Sequence, residues 1–335
     1  MKKLINEVDN IVNEMLDGMV AAYPQYVRRL EGLEVLVRAG GSEGKVALIS
    51  GGGSGHEPAH GGYVGKGMLD GAVAGAVFTS PTPDQVYEAI KAANGGKGVL
   101  LVIKNYTGDV MNFEMAADMA ADEGIEVEKV IVADDVAVEN STWTTGRRGI
   151  AGTIFVHKLA GACAEAGGDL QEVKRIAEKV IANVRSMGMA VDACTVPAVG
   201  KPSFDLAEDE IEIGIGIHGE PGVNREKISP VNAIADKLLS KILAEGIYNA
   251  GDEVAVMVNV MVNGMGGTPL MELFVANKHV ADVLAAKGIK IAKTLVGNYM
   301  TSLDMEGFSI TLLKVDEELK ALLNAPADTP AFVQA

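Results

Sequence analysis

The sequence predicts an α/β fold with two α/β domains, each a largely parallel or mixed sheet flanked by helices. In the first half, continuous apolar runs such as Val46–Ser50 and Gly98–Lys104 alternate with helical segments. This order is typical of an open parallel sheet covered by helices. In the second half, Glu210–His218 alternates strictly between isoleucine and other residues, as expected for a strand with one buried face. We therefore expect an N-terminal domain over residues 1–185 and a C-terminal domain over residues 186–335.

Apolar periodicity and glycine or proline breaks predict the elements of the N-terminal half. We expect an amphipathic helix near 4–19 and strands at 33–37, 46–50, 98–104 and 127–132. Further helices are expected at 85–93 and 110–122, followed by an alanine-rich helix that ends near residue 166 and a helix at 169–187. Asp84 and Asp109 precede two of these helices and are candidate N-caps. The apolar segment 69–78 is punctuated by glycine, so its element type stays open.

The C-terminal half is predicted to begin with a strand at 190–195. We then expect strands at 210–218, 253–259, 289–296 and 308–315, helices at 231–243 and 270–287, and polar or glycine-rich loops at 143–149 and 263–269. In the alternating strand, His218 shares a face with Gly214 and Gly216. That face is therefore predicted to leave room beside the imidazole for a small ligand.

Composition excludes several classes of function. A chain of 335 residues with 48% hydrophobic composition can bury two cores. The net charge of −16 argues against nucleic acid, because phosphate binding needs a basic surface. We expect no membrane partner, since no apolar run reaches the roughly 18 residues that a span requires. We also expect no signal peptide, because charged residues interrupt the apolar period of the N-terminal segment. Cys163 and Cys194 are too few for a disulfide framework or a zinc site, which favours the cytoplasm.

The glycine-rich segment Gly51-Gly-Gly-Ser-Gly-His56 follows a buried strand. We expect the strand to stop there and open into a tight loop whose backbone N–H groups approach a small polar ligand or an anion. The lysine and hydroxyl residue of a P-loop are missing, and the spacing is not that of a dinucleotide fingerprint. His56 at the exit of this loop is therefore a candidate functional residue rather than a core histidine.

Other polar residues are predicted to lie at the same sheet edge. His56, Lys104, Asp109 and Asp134 all follow strands of the N-terminal half, and ligands bind beyond the carboxyl ends of such strands. Asp109 could instead only cap a helix, and Lys104 could be a surface lysine whose ammonium reaches water; the sequence leaves both alternatives open.

The remaining histidines have weaker contexts. His60 has no supporting motif, whereas His157 and His279 lie in helical segments and are interpreted as structural or solvated. A metal site among His56, Glu57 and His60 is disfavoured, because their spacing and their glycine and proline neighbours do not resemble a helical His-Glu-x-x-His motif. We therefore predict no metal ion in this chain.

Six motifs, in this order, resemble those of the dihydroxyacetone-binding K subunits of bacterial dihydroxyacetone kinases. They are Gly51-Gly-Gly-Ser-Gly-His-Glu-Pro58, Phe78-Thr-Ser-Pro-Thr-Pro83, Ile103-Lys-Asn-Tyr-Thr-Gly-Asp109, Gly146-Arg-Arg-Gly149, Gly214-Ile-Gly-Ile-His-Gly-Glu-Pro-Gly222 and Thr301-Ser-Leu-Asp-Met-Glu-Gly-Phe-Ser309. The match runs from Met1 to about Pro330. No single motif identifies this family, but six motifs in the same order are specific for it.

The resemblance implies a kinase divided between chains. In that family the K subunit holds dihydroxyacetone, and an L subunit carries ADP or ATP with magnesium. A multidomain M phosphocarrier recharges the L subunit from phosphoenolpyruvate. Single-chain relatives append a nucleotide domain, for which a chain ending at Ala335 has no room, so the phosphotransferase-system-dependent form is expected. No cofactor is expected on this chain, and the family suggests a homodimer.

The resemblance also implies roles for individual residues. His218 matches the histidine whose ring nitrogen adds to the ketone carbon to give a covalent hemiaminal, which would exclude glycerol because glycerol has no carbonyl. His56 and Asp109 match the pair that assists phosphoryl transfer, with His56 as proton acceptor. The matching substrate-binding positions are Gly53, Ser54, Gly55, His56, Lys104, Asp109 and His218.

Two other functions stay open at this stage. Some relatives bind dihydroxyacetone through the same histidine but act as transcriptional co-activators; they tend to lack the acid/base pair, which is present here. A stand-alone small-molecule kinase is disfavoured by the missing nucleotide motif. One departure from the family is the short segment Ile247–Asp252, where some members carry a long hairpin, so partner docking is expected to differ.

Overall fold

The structure is a computed structural model that describes residues 2–139, 145–260 and 268–335. The helices are α1 Ile11–Ala22, α2 Pro83–Ala93, α3 Thr107–Asp122, α4 Thr153–Glu165, α5 Leu170–Asn183, α6 Val231–Leu243, α7 Leu270–Ala286 and α8 Glu317–Asn324, with short 3-10 helices at Val8–Asn10 and Gly61–Tyr63. The strands are β1 Val27–Arg29, β2 Val35–Arg38, β3 Ala47–Ser54, β4 Gly71–Val77, β5 Val99–Lys104, β6 Val127–Val132, β7 Val184–Ala190, β8 Glu210–Ile213, β9 Asn224–Lys227, β10 Glu253–Val260, β11 Lys290–Gly297, β12 Gly307–Val315, β13 Ala327–Asp328 and β14 Val333–Gln334.

The first sheet has the strand order β1-β2-β4-β3-β5-β6. Its centre is parallel, with β3 between β4 and β5, and β5 next to β6; β1 and β2 add an antiparallel edge. Successive residues of β3 face opposite sides of the sheet, since Ile49 belongs to the apolar cluster that contains Phe113 of α3 and Leu48 belongs to the cluster that contains Phe155 of α4. Helices therefore cover both faces of the sheet, and the carboxyl ends of β3, β5 and β6 meet at one edge.

The second sheet has the order β11-β10-β12-β7-β8-β9. Only the β10/β11 pair is parallel, and the other pairs are antiparallel. One face packs against α6 and α7 through residues such as Leu238 and Leu273. The opposite face, including Met257 of β10, joins the core that also contains Leu48. The predicted fold class, mixed sheets flanked by helices in two α/β units, is confirmed.

The position of the domain boundary stays a prediction, although the strands of the second sheet begin at Val184. The C-terminal segment returns to the first half of the chain, where Asp328 of β13 forms a bridge with Lys66. Within the described part of the chain, no helix is long and apolar enough to cross a membrane.

The end of the helix predicted at 169–187 is wrong. Asp169 accepts a hydrogen bond from the backbone N–H of Glu172 and caps α5, but the helix ends at Asn183. Val184–Ala190 is instead β7, which pairs with β12 on one side and β8 on the other. Backbone hydrogen bonds to strands on both sides stabilise the extended conformation of this segment despite its helix propensity. The strand predicted at 190–195 therefore lies earlier in the chain, at Val184–Ala190.

Two predicted N-caps are also wrong. The cap of α2 is Thr82, with proline in the first turn, and the cap of α3 is Tyr106. Asp84 and Asp109 lie instead within the first turn of their helices, where the helix dipole favours a carboxylate. The open segment 69–78 contains β4. The described part of the loop predicted at 143–149, residues 145–149, contains no helix or strand, whereas the loop predicted at 263–269 lies largely outside the described residues.

The long alternating strand predicted at 210–218 is shorter in the structure. It ends at Ile213, because Gly214 adopts a left-handed conformation with φ of +75°. Ile215 and Ile217 are still buried. His218 therefore lies on a loop beyond the sheet rather than on a strand.

Candidate active site

The glycine run belongs to a strand rather than to a loop, which corrects the sequence prediction. Strand β3 continues to Ser54 and is buried along its whole length. A Cβ on Gly51 would lie 2.4 Å from the carbonyl oxygen of Val73, and one on Gly53 would lie 2.5 Å from the backbone nitrogen of Thr79. These glycines allow neighbouring backbones to approach β3 more closely than any side chain permits.

Gly52 makes room for the side chain of Lys104. Its φ is +147°, and a Cβ there would lie 2.4 Å from Nζ of Lys104. The ammonium is completely buried and donates to the carbonyl oxygen of Gly51 at 3.4 Å, and it lies 3.9 Å from Oδ2 of Asp109. Burial lowers the pKa of Lys104, and Asp109 partly opposes that shift. Lys104 is therefore a buried cation and not a surface lysine.

His60 and His157 form a buried pair behind Lys104. Nε2 of His60 lies 3.2 Å from Nζ of Lys104, and Nδ1 of His60 lies 2.9 Å from Nε2 of His157. Because the ammonium only donates, His60 accepts at Nε2 and donates from Nδ1 to His157. Burial lowers the pKa of His60 well below its usual range and that of His157 to about 3. Neither contact was foreseen, since nothing in the sequence links His157 to the glycine-rich segment.

Asp109 lies in the first turn of α3 and is buried. Its Oδ1 accepts a short hydrogen bond from the hydroxyl of Ser80. The carboxylate thus has a fixed orientation, with Ser80 on one oxygen and Lys104 nearest the other. Sequence reasoning had assigned no separate role to Ser80.

His56 is completely buried at the end of the glycine run. Its Nδ1 lies 2.8 Å from the carbonyl oxygen of Thr301. A carbonyl only accepts, so Nδ1 carries the proton and Nε2 of neutral His56 has a free lone pair. Burial, followed by the nearby charges of His218 and Lys104, lowers the pKa of His56 well below its usual range. His56 is therefore uncharged at neutral pH, with Nε2 available as a hydrogen-bond acceptor.

His218 comes from the other half of the chain and meets His56 directly. The two Nε2 atoms are 3.0 Å apart, so one proton must lie between them. Since Nε2 of His56 is the acceptor, His218 donates this hydrogen bond. The ring of His218 is also fixed by edge-on contacts with Tyr106 and Phe78, whose ring centroids lie at 4.4 and 5.2 Å.

The empty floor predicted beside His218 is occupied. A Cβ on Gly216 would lie 2.1 Å from the carboxylate of Glu220. Oε2 of Glu220 accepts the backbone N–H of His218 at 2.8 Å. The alternating glycines therefore accommodate a side chain of the protein, and the free space beside the imidazole is lined by Glu220 as well as by His218.

That space is a crevice of about 710 Å³ between the two halves of the chain. Its lining includes Gly53, Asp109 and His218, together with Phe78 and Tyr106. This volume is within the range of small-molecule sites. The structure thus brings together, at one opening, side chains that are more than 100 residues apart in sequence.

His56 and Lys104 are fully buried behind the crevice wall, and other predicted site residues also lie away from it. The hydroxyl of Ser54 donates to the carbonyl oxygen of Gly75 at 2.7 Å, and the N–H of Gly55 donates to Glu57 at 3.0 Å. Asp134 is buried and accepts the N–H groups of Ile150 and Gly152, so it fixes the start of α4. No group of three or more metal-ligating side chains occurs in residues 2–139, 145–260 and 268–335.

Comparison with known proteins identifies the family. The model of the Dak1 domain matches residues 17–331. The chain is 57% identical to the dihydroxyacetone-binding subunit of PTS-dependent dihydroxyacetone kinase 1 of Listeria innocua, with 99% of this chain and 100% of the relative covered. It is 45% identical to the dihydroxyacetone-binding subunit of the PEP-dependent kinase of Escherichia coli, with 99% of each covered.

Solved structures agree with this match. A dihydroxyacetone kinase operon co-activator superimposes with a TM-score of 0.90 at 39% identity, covering 98% of this chain and 99% of the co-activator. The dihydroxyacetone kinase of C. freundii in complex with AMP-PNP and Mg²⁺ gives a TM-score of 0.88 at 36% identity, covering 99% of this chain and 61% of the kinase. The family resemblance inferred from the six motifs is confirmed, and this chain belongs to the Dak1 family.

Proposed function

We propose that this chain is the dihydroxyacetone-binding subunit of a phosphoenolpyruvate-dependent dihydroxyacetone kinase. The observation that carries the proposal is the 3.0 Å contact between Nε2 of buried His56 and Nε2 of His218, which lines the crevice together with Asp109. The relatives named as dihydroxyacetone-binding kinase subunits align with the chain over almost its whole length, which supports the same role here.

His218 is proposed to bind the substrate covalently. Its Nε2 proton passes to Nε2 of His56, and the freed lone pair forms a bond with the ketone carbon of dihydroxyacetone. The π electrons of the carbonyl move to oxygen, which then takes the proton back from His56. One proton has moved from nitrogen to oxygen, and the product is a hemiaminal. Because burial disfavours a charged His56, this residue passes the proton on readily.

His56 and Asp109 are proposed to assist phosphoryl transfer. After the adduct forms, Nε2 of His56 again has a free lone pair and accepts the proton of the attacking hydroxyl. Asp109, fixed by Ser80, holds the hydroxyl together with the ammonium of Lys104. Gly53, Ser54 and Gly55 contribute backbone groups, since the hydroxyl of Ser54 already donates to Gly75. Most of the remaining catalysis is positioning and charge stabilisation.

The nucleotide is proposed to come from a partner. The glycine run lacks the lysine of a nucleotide loop, and the relatives of this chain are named as dihydroxyacetone-binding subunits. We therefore assign ADP or ATP with magnesium to an L subunit, which an M phosphocarrier recharges. When bound, the nucleotide supplies the phosphoryl group and magnesium neutralises its charge. We further propose a homodimer and a cytoplasmic location.

A dihydroxyacetone-sensing co-activator is the second candidate, because a co-activator has a TM-score of 0.90 with this chain. Both members of the acid/base pair are present here, His56 and Asp109, and they favour the kinase. A co-activator needs ligand binding but no proton acceptor for a substrate hydroxyl.

Reconstitution separates the two candidates. The chain is mixed with an L subunit, an M phosphocarrier system, phosphoenolpyruvate and dihydroxyacetone, and dihydroxyacetone phosphate is measured with a coupled reductase. We expect product that depends on this chain and disappears with His218→Ala. Absence of product, together with recovery of a transcription regulator and no L subunit in a pull-down, would favour the co-activator.

A further inference from the structure

We propose that Glu220 is a positioning residue that keeps Nδ1 of His218 protonated, so that Nε2 is the nitrogen that loses its proton and attacks. Arg148 and Asp135 in turn hold Glu220. The inference rests on the proposed function, because it concerns the nitrogen that would bond to the substrate carbon.

Glu220 is attached to His218 through its backbone. Oε2 of Glu220 accepts the backbone N–H of His218 at 2.8 Å, and Oε1 lies 3.8 Å from Nδ1 of the ring. The other ring nitrogen faces His56. The two ends of the imidazole thus meet an anion on one side and a lone pair on the other.

One oxygen of this buried carboxylate has no hydrogen-bond donor. Glu220 is 8% exposed, and in the part of the chain that the structure describes Oε1 accepts no hydrogen bond. Contact with the ring of His218 and the nearby charge of Arg148 lower the pKa of Glu220 to about 2, although burial alone would raise it. A buried ionised oxygen without a donor is costly, and Nδ1 of His218, a ring nitrogen that can donate, lies 3.8 Å from it.

Arg148 and Asp135 form a rigid support behind Glu220. The guanidinium of Arg148 donates from Nε to Asp135 at 2.8 Å and from Nη2 to the carbonyl oxygen of Gly214 at 2.8 Å. Its Nη1 lies 3.8 Å from Oε1 of Glu220. Arg148 and Asp135 are both at most 2% exposed. This pair therefore links the loop that carries His218 to the end of β6 and stabilises the charge of Glu220 without protonating it.

Gly216 supplies the space for the carboxylate. A Cβ at this position would lie 2.1 Å from Oε1 of Glu220, closer than atoms can approach. The glycine therefore allows Glu220 to fold back under the loop toward the imidazole.

The charge of Glu220 has a direct consequence for the addition step. A histidine ring that carries a proton on each nitrogen and donates from Nδ1 to a carboxylate becomes neutral when it gives up its Nε2 proton, and this is how a carboxylate fixes a histidine tautomer. After the N–C bond forms, the ring carries a positive charge at Nδ1–H, and Glu220 balances it. Without that carboxylate, we expect the neutral ring to keep its proton on Nε2, hydrogen-bonded to His56, and Nε2 then has no free lone pair.

A structural role alone predicts a different result. If Glu220 only holds the loop through the backbone N–H of His218, then glutamine can replace it, because its amide oxygen accepts the same hydrogen bond. Glu220→Gln therefore removes the charge while retaining the loop contact. Glu212→Gln is the matched control, since Glu212 is also buried, also accepts a loop N–H, that of Gly222, and pairs with Arg225 rather than with His218.

The test measures the protonation of the ring and the amount of adduct separately. Nitrogen-15 spectra of histidine-labelled protein without ligand report which ring nitrogens carry protons, and His218→Ala assigns the signals. Carbon-13 spectra with dihydroxyacetone labelled at its ketone carbon report the adduct. We expect protonated Nδ1 in the wild type and in Glu212→Gln. In Glu220→Gln we expect unprotonated Nδ1 and adduct formation weakened by at least about tenfold, the scale of a lost charged hydrogen bond.

Each outcome decides the assignment. Retention of the Nδ1 proton in Glu220→Gln overturns it, whether or not the wild type forms an adduct, because the spectra are recorded without ligand. Loss of that proton in the variant supports it even if no adduct forms, in which case the proposed covalent binding fails by itself. An equal loss of adduct in Glu212→Gln would assign the effect to the loop and contradict the role of the charge.

Discussion

The two glycine-rich segments at the crevice look alike in sequence but use their glycines differently. In Gly51–Gly53 the missing side chains bring backbones together and make room for the buried ammonium of Lys104. In Gly214–Gly216 one glycine ends a strand by its positive φ, and the other makes room for the carboxylate of Glu220. The first segment therefore places a cation beside Asp109, and the second places an anion beside His218.

This difference implies a division of labour between the halves of the chain. The first half supplies the groups that are proposed to hold and deprotonate a hydroxyl, namely His56, Lys104 and Asp109. The second half supplies the proposed nucleophile and its carboxylate. Among the described residues, the two sets contact each other through His56 and His218, so variants on each side should fail in different ways.

The largest effect is expected for the second half. His218→Ala removes the only proposed bonding nitrogen, so the carbon-13 signal of the adduct should vanish and turnover should stop. Circular dichroism and the unfolding temperature should change little, because His218 lies on a loop. A variant that still forms the adduct would disprove the assignment of the nucleophile.

Asp109→Asn should separate binding from turnover on the first half. The adduct depends on His218, so we expect it to persist, at reduced occupancy because a contact to the substrate hydroxyl weakens. Turnover should fall by about 100-fold or more, the scale of lost acid/base assistance. Reconstituted kinase assays and carbon-13 spectra on the same sample provide both values. Parallel loss of adduct and turnover would contradict the division between the halves.

Glu220 should also make stability depend on pH. Its pKa falls from 4.5 to about 2 in the folded protein, so its contribution is complete above about pH 5 and is lost as pH falls toward 2. A shift of that size corresponds to about 3 kcal/mol. Urea unfolding of the wild type and Glu220→Gln should differ more at pH 6 than at pH 3.

Removal of His218 provides the control for this pH effect. The contact with His218 contributes to the low pKa of Glu220. In a His218→Ala background, the pH-dependent part of the Glu220→Gln effect should therefore become smaller. An unchanged difference would mean that the ring does not stabilise the carboxylate.

The smallest effects are expected for alanine substitutions at Gly52 and Gly216. Gly52→Ala should cost about 1–3 kcal/mol because of its positive φ, and it should displace Lys104, so turnover should fall more than adduct formation. Gly216→Ala should displace Glu220 and reduce the adduct first. Gly18→Ala in α1 is the control, since a Cβ there has no neighbour within 4 Å. If Gly52→Ala and Gly216→Ala reduced turnover and adduct formation in the same proportion, the two glycine-rich segments would not have different roles.

The fold class and most elements could be predicted because apolar periodicity dominates them. Helix α6 was predicted with its observed bounds, Val231–Leu243, since its amphipathic pattern is regular. Strand β7 could not be predicted from local signals, because Val184–Ala190 is extended only through its partners β12 and β8.

The site was predictable only in part for a related reason. His56, Lys104, Asp109 and His218 follow motifs that the sequence displays, although the actual proximity of His56 to His218 depends on packing between the halves. His60 and His157 contact each other across 97 residues, and Glu220 reaches Gly216 only because the loop folds back. No local pattern encodes such contacts.

The most direct test of the covalent proposal is the coupling between one carbon and one nitrogen. Protein labelled with nitrogen-15 at histidine is mixed with dihydroxyacetone labelled with carbon-13 at the ketone. We predict a one-bond carbon–nitrogen coupling to Nε2 of His218 that is absent in His218→Ala. A ketone carbon that keeps its carbonyl shift in the bound state, with no coupling to any ring nitrogen, would contradict the account.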